Sequence, residues 1–341
     1  MLNEVKHLCP DWKTPGREEG FSPALACGAS VAPLRMTFHE ALMMNVFEFL
    51  KTQGKGLSLL LTMLIGALVP QAHVLSFLIQ YLLMLMLFFA FLDIEFKPQS
   101  FHKNVLWVLL ANVTVAFVVY VALAPFNLML ALAAFMTAIA PTAIAAPVII
   151  SFIQREVEYV VASVVLTNIT SALIVPLALP SLLGAEIQIS VWEVLRPVLV
   201  VMFVPLILSQ LVKLLSANTQ AFIRKGKVFS FPIWLVNLFI ISANASNFLR
   251  NGNTDSISTL AVIALVSLVI CIVNFSVGAL LGGRSHWQEA SQSLGQKNLS
   301  FVIWIALTFI NPLVALGPMF YILYHHLYNS WSIYQFERKR A

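Results

Sequence analysis

The chain has 341 residues, of which 60% are hydrophobic and only 10% charged, against roughly 25% charged in an average soluble domain. No soluble fold of this length can bury so much apolar surface, so the surplus faces a lipid bilayer. The net charge of +5 is modest and its basic residues are scattered, which excludes nucleic acid as a partner and fits the basic loops of a membrane protein.

Residues 1–40 are polar and rich in Pro, Gly and charge. They lack the apolar stretch and small-residue cleavage site of a signal peptide. They read as a disordered tail, or as sequence ahead of a natural start at Met36, and no function is assigned to them. The stretch 41–53 reads as an amphipathic lead-in helix. Apolar runs long enough to cross a bilayer, alone or with help from neighbours, then follow at 56–70, 74–92, 104–123, 126–152, 157–182, 191–215, 228–248, 257–282, 287–310 and 312–334. The predicted fold is therefore an all-α membrane protein of about ten transmembrane helices. A transporter-sized domain spans 41–335, and a basic tail closes the chain at 336–341.

Charge sets the orientation. With the N-terminus inside, the cytoplasmic flanks hold Lys51, Lys55, Lys97, Lys103, Arg155, Lys213, Arg224, Lys225, Lys227, Arg284, Arg338, Lys339 and Arg340, and the other side holds Arg196 and Arg250. That bias places both termini in the cytoplasm of a cell in whose inner membrane the protein sits. Two halves, about 56–182 and 191–334, each carry an interruption in their fourth span, at Pro141 to Pro147 and at Ser293 to Asn298. Five spans followed by five make the halves an inverted repeat. Interrupted spans at matching positions are the sequence pointer to a secondary-transporter site, because a helix break exposes backbone groups that lipid cannot satisfy.

Lys297 stands out most. It follows Ser293, Gly295 and Gln296, and precedes Asn298 and the apolar run to Ile310. With His286–Glu289 as the membrane boundary, the ammonium lies two to three turns deep, where a charge costs roughly 2.5–3.5 kcal/mol. The bland alternative is a lysine snorkelling from a helix end. Gly295 gives the backbone room to break, and Pro141 and Pro147 remove amide donors and free nearby carbonyls. Thr137 and Thr142 are the polar groups nearest that break. Thr167, Asn168, Thr170 and Ser171 form a polar island in the fifth run, Asn112 lies within the third, and Asn244 and Asn247 lie late in the seventh. Each of these serves equally as helix–helix glue.

The remaining candidates read as structural. His325 and His326 point about 100° apart on a helix and cannot readily share a metal. Cys9, Cys27 and Cys271 form no CxxC pair, so neither a disulfide framework nor a metal site is expected. GxSxG, HExxH and Walker A motifs are all absent, and no enzyme activity or cofactor is expected.

Three stretches carry a resemblance to the bile acid:sodium symporter family over about residues 56–335. They are Ala140–Val148, Val160–Pro176, and Ser293–Pro312 with Tyr324–His326 beyond. The resemblance implies a panel domain and a core domain, with the broken fourth and ninth helices crossing at an organic-anion cavity worked by alternating access. It also implies two sodium sites, and here the sequence departs. The positions matching one site are Ala146, Pro147, Val160 and Val164, none of which offers a side-chain oxygen to a hard cation. Those matching the other are Ser293, Lys297 and Asn112. Asn298 matches the family's cavity asparagine and His325 its cavity-side histidine.

These departures predict transport of a small organic anion without sodium. In one variant Lys297 stays charged and pairs with the anionic substrate. In the other its protonation cycles and drives transport, making the proton the coupling partner. A sodium-dependent organic anion symporter, and a receptor or scaffold that has kept the fold without transport, are the alternatives. Arsenite efflux on a related fold would call for a cysteine beside Pro141, where the sequence has Thr142.

Overall fold

The computed structural model describes residues 58–92, 103–184, 189–251 and 256–338. The stretches read above as a polar tail and a lead-in helix lie outside them, as do 339–341. Among the described residues every regular element is helical, and the only strand-type pairing is an isolated antiparallel bridge between Thr142 and Lys297.

The chain opens with α1 (Ser58–Leu68), which stops before Pro70. Proline cannot continue a helix but suits a first turn, and a 3-10 segment, Pro70–Phe77, leads directly into α2 (Leu78–Phe91). Next come α3 (Lys103–Leu123), the short α4 (Leu128–Ile139), the shorter α5 (Ala146–Phe152) and α6 (Val157–Leu183). Asn127 starts α4 by accepting the Leu130 amide at 3.0 Å. Helix α7 (Val191–Lys213) begins at a full capping box between Ser190 and Glu193, which satisfies amides otherwise left open at a helix start.

A short polar helix, α8 (Ala217–Lys225), precedes α9 (Ser230–Asn251). Helix α10 (Ser256–Gly295) is two helices folded back on each other: Gly283, at φ +61° and ψ −156°, leaves helical geometry, the chain resumes after His286, and Ser291 returns to bond the Phe275 carbonyl at 2.8 Å. Helices α11 (Leu299–Phe309) and α12 (Pro312–Arg338) complete the described chain. Helix α12 absorbs the start of the stretch expected as a tail from residue 336.

Among the described residues, six helical segments are long and apolar enough to cross a membrane. Large apolar side chains stand on their outer surfaces, among them Leu110, Val121, Ile207, Leu265 and Ile272. A water-soluble protein does not expose apolar surface on this scale, so the chain is membrane-embedded. The interior holds the short segments instead. Residues Ala131–Ile139 of α4 and Leu299–Ala306 of α11 are buried without exception. A helix that is apolar all round belongs inside, and α3, α6, α10 and α12 pack around this pair. Separately, α2 packs on both α7 and α9. Ser242 and Ser246 of α9 donate to Met63 and Ala67 carbonyls of α1 at 2.6 and 2.7 Å.

Candidate functional site

The interruptions after α4 and after α10 meet at the centre of the buried region, and each completes the other's backbone. A helix leaves its last four carbonyls without intrahelical donors, and buried carbonyls must find partners elsewhere. At the end of α4, Pro141 has no amide to offer the Thr137 carbonyl. The Thr142 amide bonds the Thr167 hydroxyl of α6 at 2.9 Å instead of turning back to Ala138. The Ala143 amide crosses to the Gln296 carbonyl at 2.8 Å instead of turning back to Ile139. In return, the Asn298 amide bonds the Pro141 carbonyl at 2.7 Å, and the Thr142 hydroxyl bonds the Ser293 carbonyl at 2.5 Å.

Of these three α4 carbonyls, side chains take two. The Ile139 carbonyl accepts from the Ser171 hydroxyl at 2.8 Å and from Asn112 Nδ2 at 3.3 Å. The Ala138 carbonyl accepts from Lys297 Nζ at 2.8 Å. Lys297 Nζ also donates to Asn112 Oδ1. The lysine is 2% exposed, so the snorkelling alternative fails: its head group points into the protein. A buried ammonium costs several kcal/mol of desolvation, and only good geometry offsets that. Here the offset comes from hydrogen bonds to a charged donor, worth about 1.5–3 kcal/mol each. An ammonium carries three donors, and these two bonds occupy two of them.

The structure thus brings Asn112, Thr142, Thr167, Asn168, Lys297 and the Ser293 and Gln296 backbones together. Asn168 Nδ2 joins them through the Thr142 carbonyl at 3.2 Å. Asn298 caps α11 without a side-chain bond. The other sequence candidates behave differently. Thr137 folds its hydroxyl back onto the Ala133 carbonyl at 2.6 Å. Pro147 sits in the first turn of α5, where a missing amide costs nothing, so Pro141 alone opens the break. Gly295 is the last helical residue. Its importance is closeness, because the Phe275 ring lies where a Cβ would be. His325 is buried one turn beyond the crossing, its ring edge-on to Tyr321 at 5.6 Å and to His326 at 4.4 Å. Asn244 bonds Ser76 at 2.6 Å as helix glue, and Asn247 bonds Asn251.

Two residues escaped sequence reasoning. The Tyr321 hydroxyl, itself approached by Asn274 Nδ2 at 3.3 Å, holds the Gly295 carbonyl at 2.6 Å; a tyrosine in an apolar run gives no warning of this. Glu289, read as part of the membrane boundary, is 2% exposed and accepts the Glu156 amide at 3.2 Å. Beside it, Arg155 and Gln288 are joined at 2.5 Å, and Glu156 and His286 pair at 3.1 Å. Among the described residues no group of three or more His, Cys, Asp and Glu could hold a metal. The chain matches no protein-family model and no curated protein.

Proposed function

We propose that the protein is a transporter of small organic anions that works by alternating access without sodium. In this reading it has ten spans in two inverted five-helix repeats, as in the bile acid:sodium symporter family. Both termini face the cytoplasm across the cell's inner membrane. The observation that carries the reading is the Lys297 ammonium at the meeting point of two broken helices, bonded to Ala138 and Asn112. Such meeting points, where backbone is irregular at membrane depth, are the substrate and ion sites of inverted-repeat transporters. An ammonium occupying freed carbonyls does there what a bound cation would do. Its unfilled donor, with the N-terminal dipole end of α11 beside it, suits an anion. A costly buried charge is also what argues for a working site over a receptor or scaffold that has lost transport.

Vesicles carrying the purified protein, assayed with a panel of carboxylates and sulfonates, test this. Uptake is expected to persist when choline replaces sodium. Collapse of uptake without sodium would establish the sodium-dependent alternative. Absence of any ligand-induced rise in melting temperature across the panel would favour the scaffold. Lys297→Gln separates the two roles of the lysine: pH-gradient-driven uptake that persists in this variant rules out proton coupling through Lys297.

A further inference from the structure

The short helix that ends at the crossing, residues 287–295, carries a feature that the crossing itself does not use. Positions 289, 292, 293 and 296 fall within about 100° of arc on one helix face. They are Glu289, Gln292, Ser293 and Gln296, each at most 2% exposed. Glu289 Oε2, Gln292 Oε1, Ser293 Oγ and Gln296 Oε1 are all buried without a hydrogen-bond partner in the protein. Asn329 of α12 faces the same stripe, its Oδ1 accepting from Gln292 Nε2 at 3.0 Å while its Nδ2 stays unpartnered. Buried acceptors need donors, and four in a row along about 10 Å of helix, at ~1.5 Å per residue, call for a file of ordered water.

The two ends of this stripe differ. At one end is the Glu289 carboxylate, beside the corner between α5 and α6. The groups that face it there are Glu156, His286, Tyr159, whose ring stacks on His286 at 5.4 Å, and Arg155, bonded to Gln288. Gln154 and Arg155 of that corner are exposed, so bulk water lies close. At the other end, directly after Gln296, is Lys297, with Cys271 as its titratable neighbour; Tyr321 of α12 bonds the nearby Gly295 carbonyl at 2.6 Å, and His325 lies edge-on to Tyr321.

We propose that Glu289 is a proton-loading carboxylate, joined to Lys297 by water held along the stripe of Gln292, Ser293 and Gln296. The proposal rests on the transporter reading, in which the α5–α6 corner is cytoplasmic, and it supplies the coupling route which that reading leaves open. The step balances simply. Glu289 Oε2 takes a proton from cytoplasmic water and becomes a neutral carboxyl. Passing that proton along the water file to an uncharged Lys297 Nζ restores the carboxylate and forms the ammonium.

Infrared difference spectroscopy of the full chain in lipid nanodiscs, between alkaline and acid buffer, reads the carboxyl directly. A buried carboxylic C=O band is expected to appear on acidification, to shift on transfer to heavy water, and to vanish in Glu289→Gln. Its titration midpoint is expected to move in Lys297→Met. Glu289→Asp covers a Gln variant that fails to fold, and is expected to keep the band at a shifted frequency. A band retained in Glu289→Gln, no titrating band at all, no heavy-water shift, or a midpoint unmoved by Lys297→Met would overturn the proposal. Uptake separates it from the reading beneath: a titrating band in vesicles that carry no anion sinks transport and leaves the proton site standing. Wild-type pH dependence of uptake in Glu289→Gln sinks the proton site and leaves transport standing.

Discussion

Removing the Lys297 head group alone is a poor measure of what it does. Lys297→Met strands the Ala138 carbonyl and Asn112 Oδ1, at about 1–3 kcal/mol each, but it also relieves several kcal/mol of ammonium desolvation. The two terms oppose each other and are of similar size. A double-mutant cycle removes the ambiguity. Asn112→Leu deletes one acceptor of the ammonium, while the Ile139 carbonyl keeps its bond from Ser171 at 2.8 Å. The coupling between Lys297→Met and Asn112→Leu then reports the single bond from Nζ to Oδ1. For a charged donor in a buried site that coupling is about 1.5–3 kcal/mol. Equilibrium unfolding of the four proteins in mixed micelles, with a common slope, would measure it. Additivity to within about 0.5 kcal/mol is the behaviour of unconnected sites, and it would refute the placement of the ammonium at the crossing.

Other perturbations are expected to sort by mechanism. Thr142→Val removes the hydroxyl that bonds the buried Ser293 carbonyl and should lower unfolding free energy by about 1–3 kcal/mol, whereas Thr142→Ser should stay near wild type. Gly295→Ala drives a methyl into the Phe275 ring, and overpacking of this kind costs about 1–3 kcal/mol; trimming the ring with Phe275→Leu should recover part of the loss in the same unfolding assay. Gly283→Ala meets no neighbouring atom, yet it forces φ +61°, ψ −156° on an L-residue, so a pure backbone cost of about 1–3 kcal/mol is expected. By contrast His286→Ala breaks a pair with Glu156 whose side chains are 22% and 38% exposed and removes the ring stacked on Tyr159, and melting should register about 1–2 kcal/mol. For orientation, an impermeant maleimide applied to intact cells should label a cysteine at Gly184 and spare one at Arg338, on a background lacking the native cysteines.

Composition and apolar run length were enough to read the membrane-embedded helical class, and proline and glycine punctuation marked where helices would break. Both interruptions fall where Pro141 and the Gly295–Asn298 stretch put them. What pattern could not supply is partnership. Sequence spacing says that Thr142 and Lys297 each lie at a break, but not that Thr142 bonds across to Ser293, because that contact spans 151 positions. For the same reason Pro141 and Pro147 look alike in sequence, and only the start of α5 places one of them where no amide is needed. Glu289 misled because a charge next to His286 and Gln288 resembles a membrane edge, and only the fold of the α5–α6 corner against it reveals the burial. Tyr321 gave no signal, since tyrosine in an apolar run reads as packing.

The reciprocal bonding of the two interruptions also bears on how the protein is made. The groups left open after α4 find their partners at Ser293, Gln296, Lys297 and Asn298. At typical synthesis rates of about 5–20 residues per second, the 151 positions between Thr142 and Ser293 take roughly 8–30 seconds to emerge. Throughout that interval the nascent first half holds unmatched backbone polar groups at membrane depth, an arrangement that lipid does not tolerate. We expect the first break to wait in a hydrated or chaperoned setting, beside the insertion machinery, until the second arrives. Ribosome-stalled chains ending before residue 293 should accordingly remain crosslinkable to that machinery through positions 140–146, and lose the crosslink once residue 298 has been inserted.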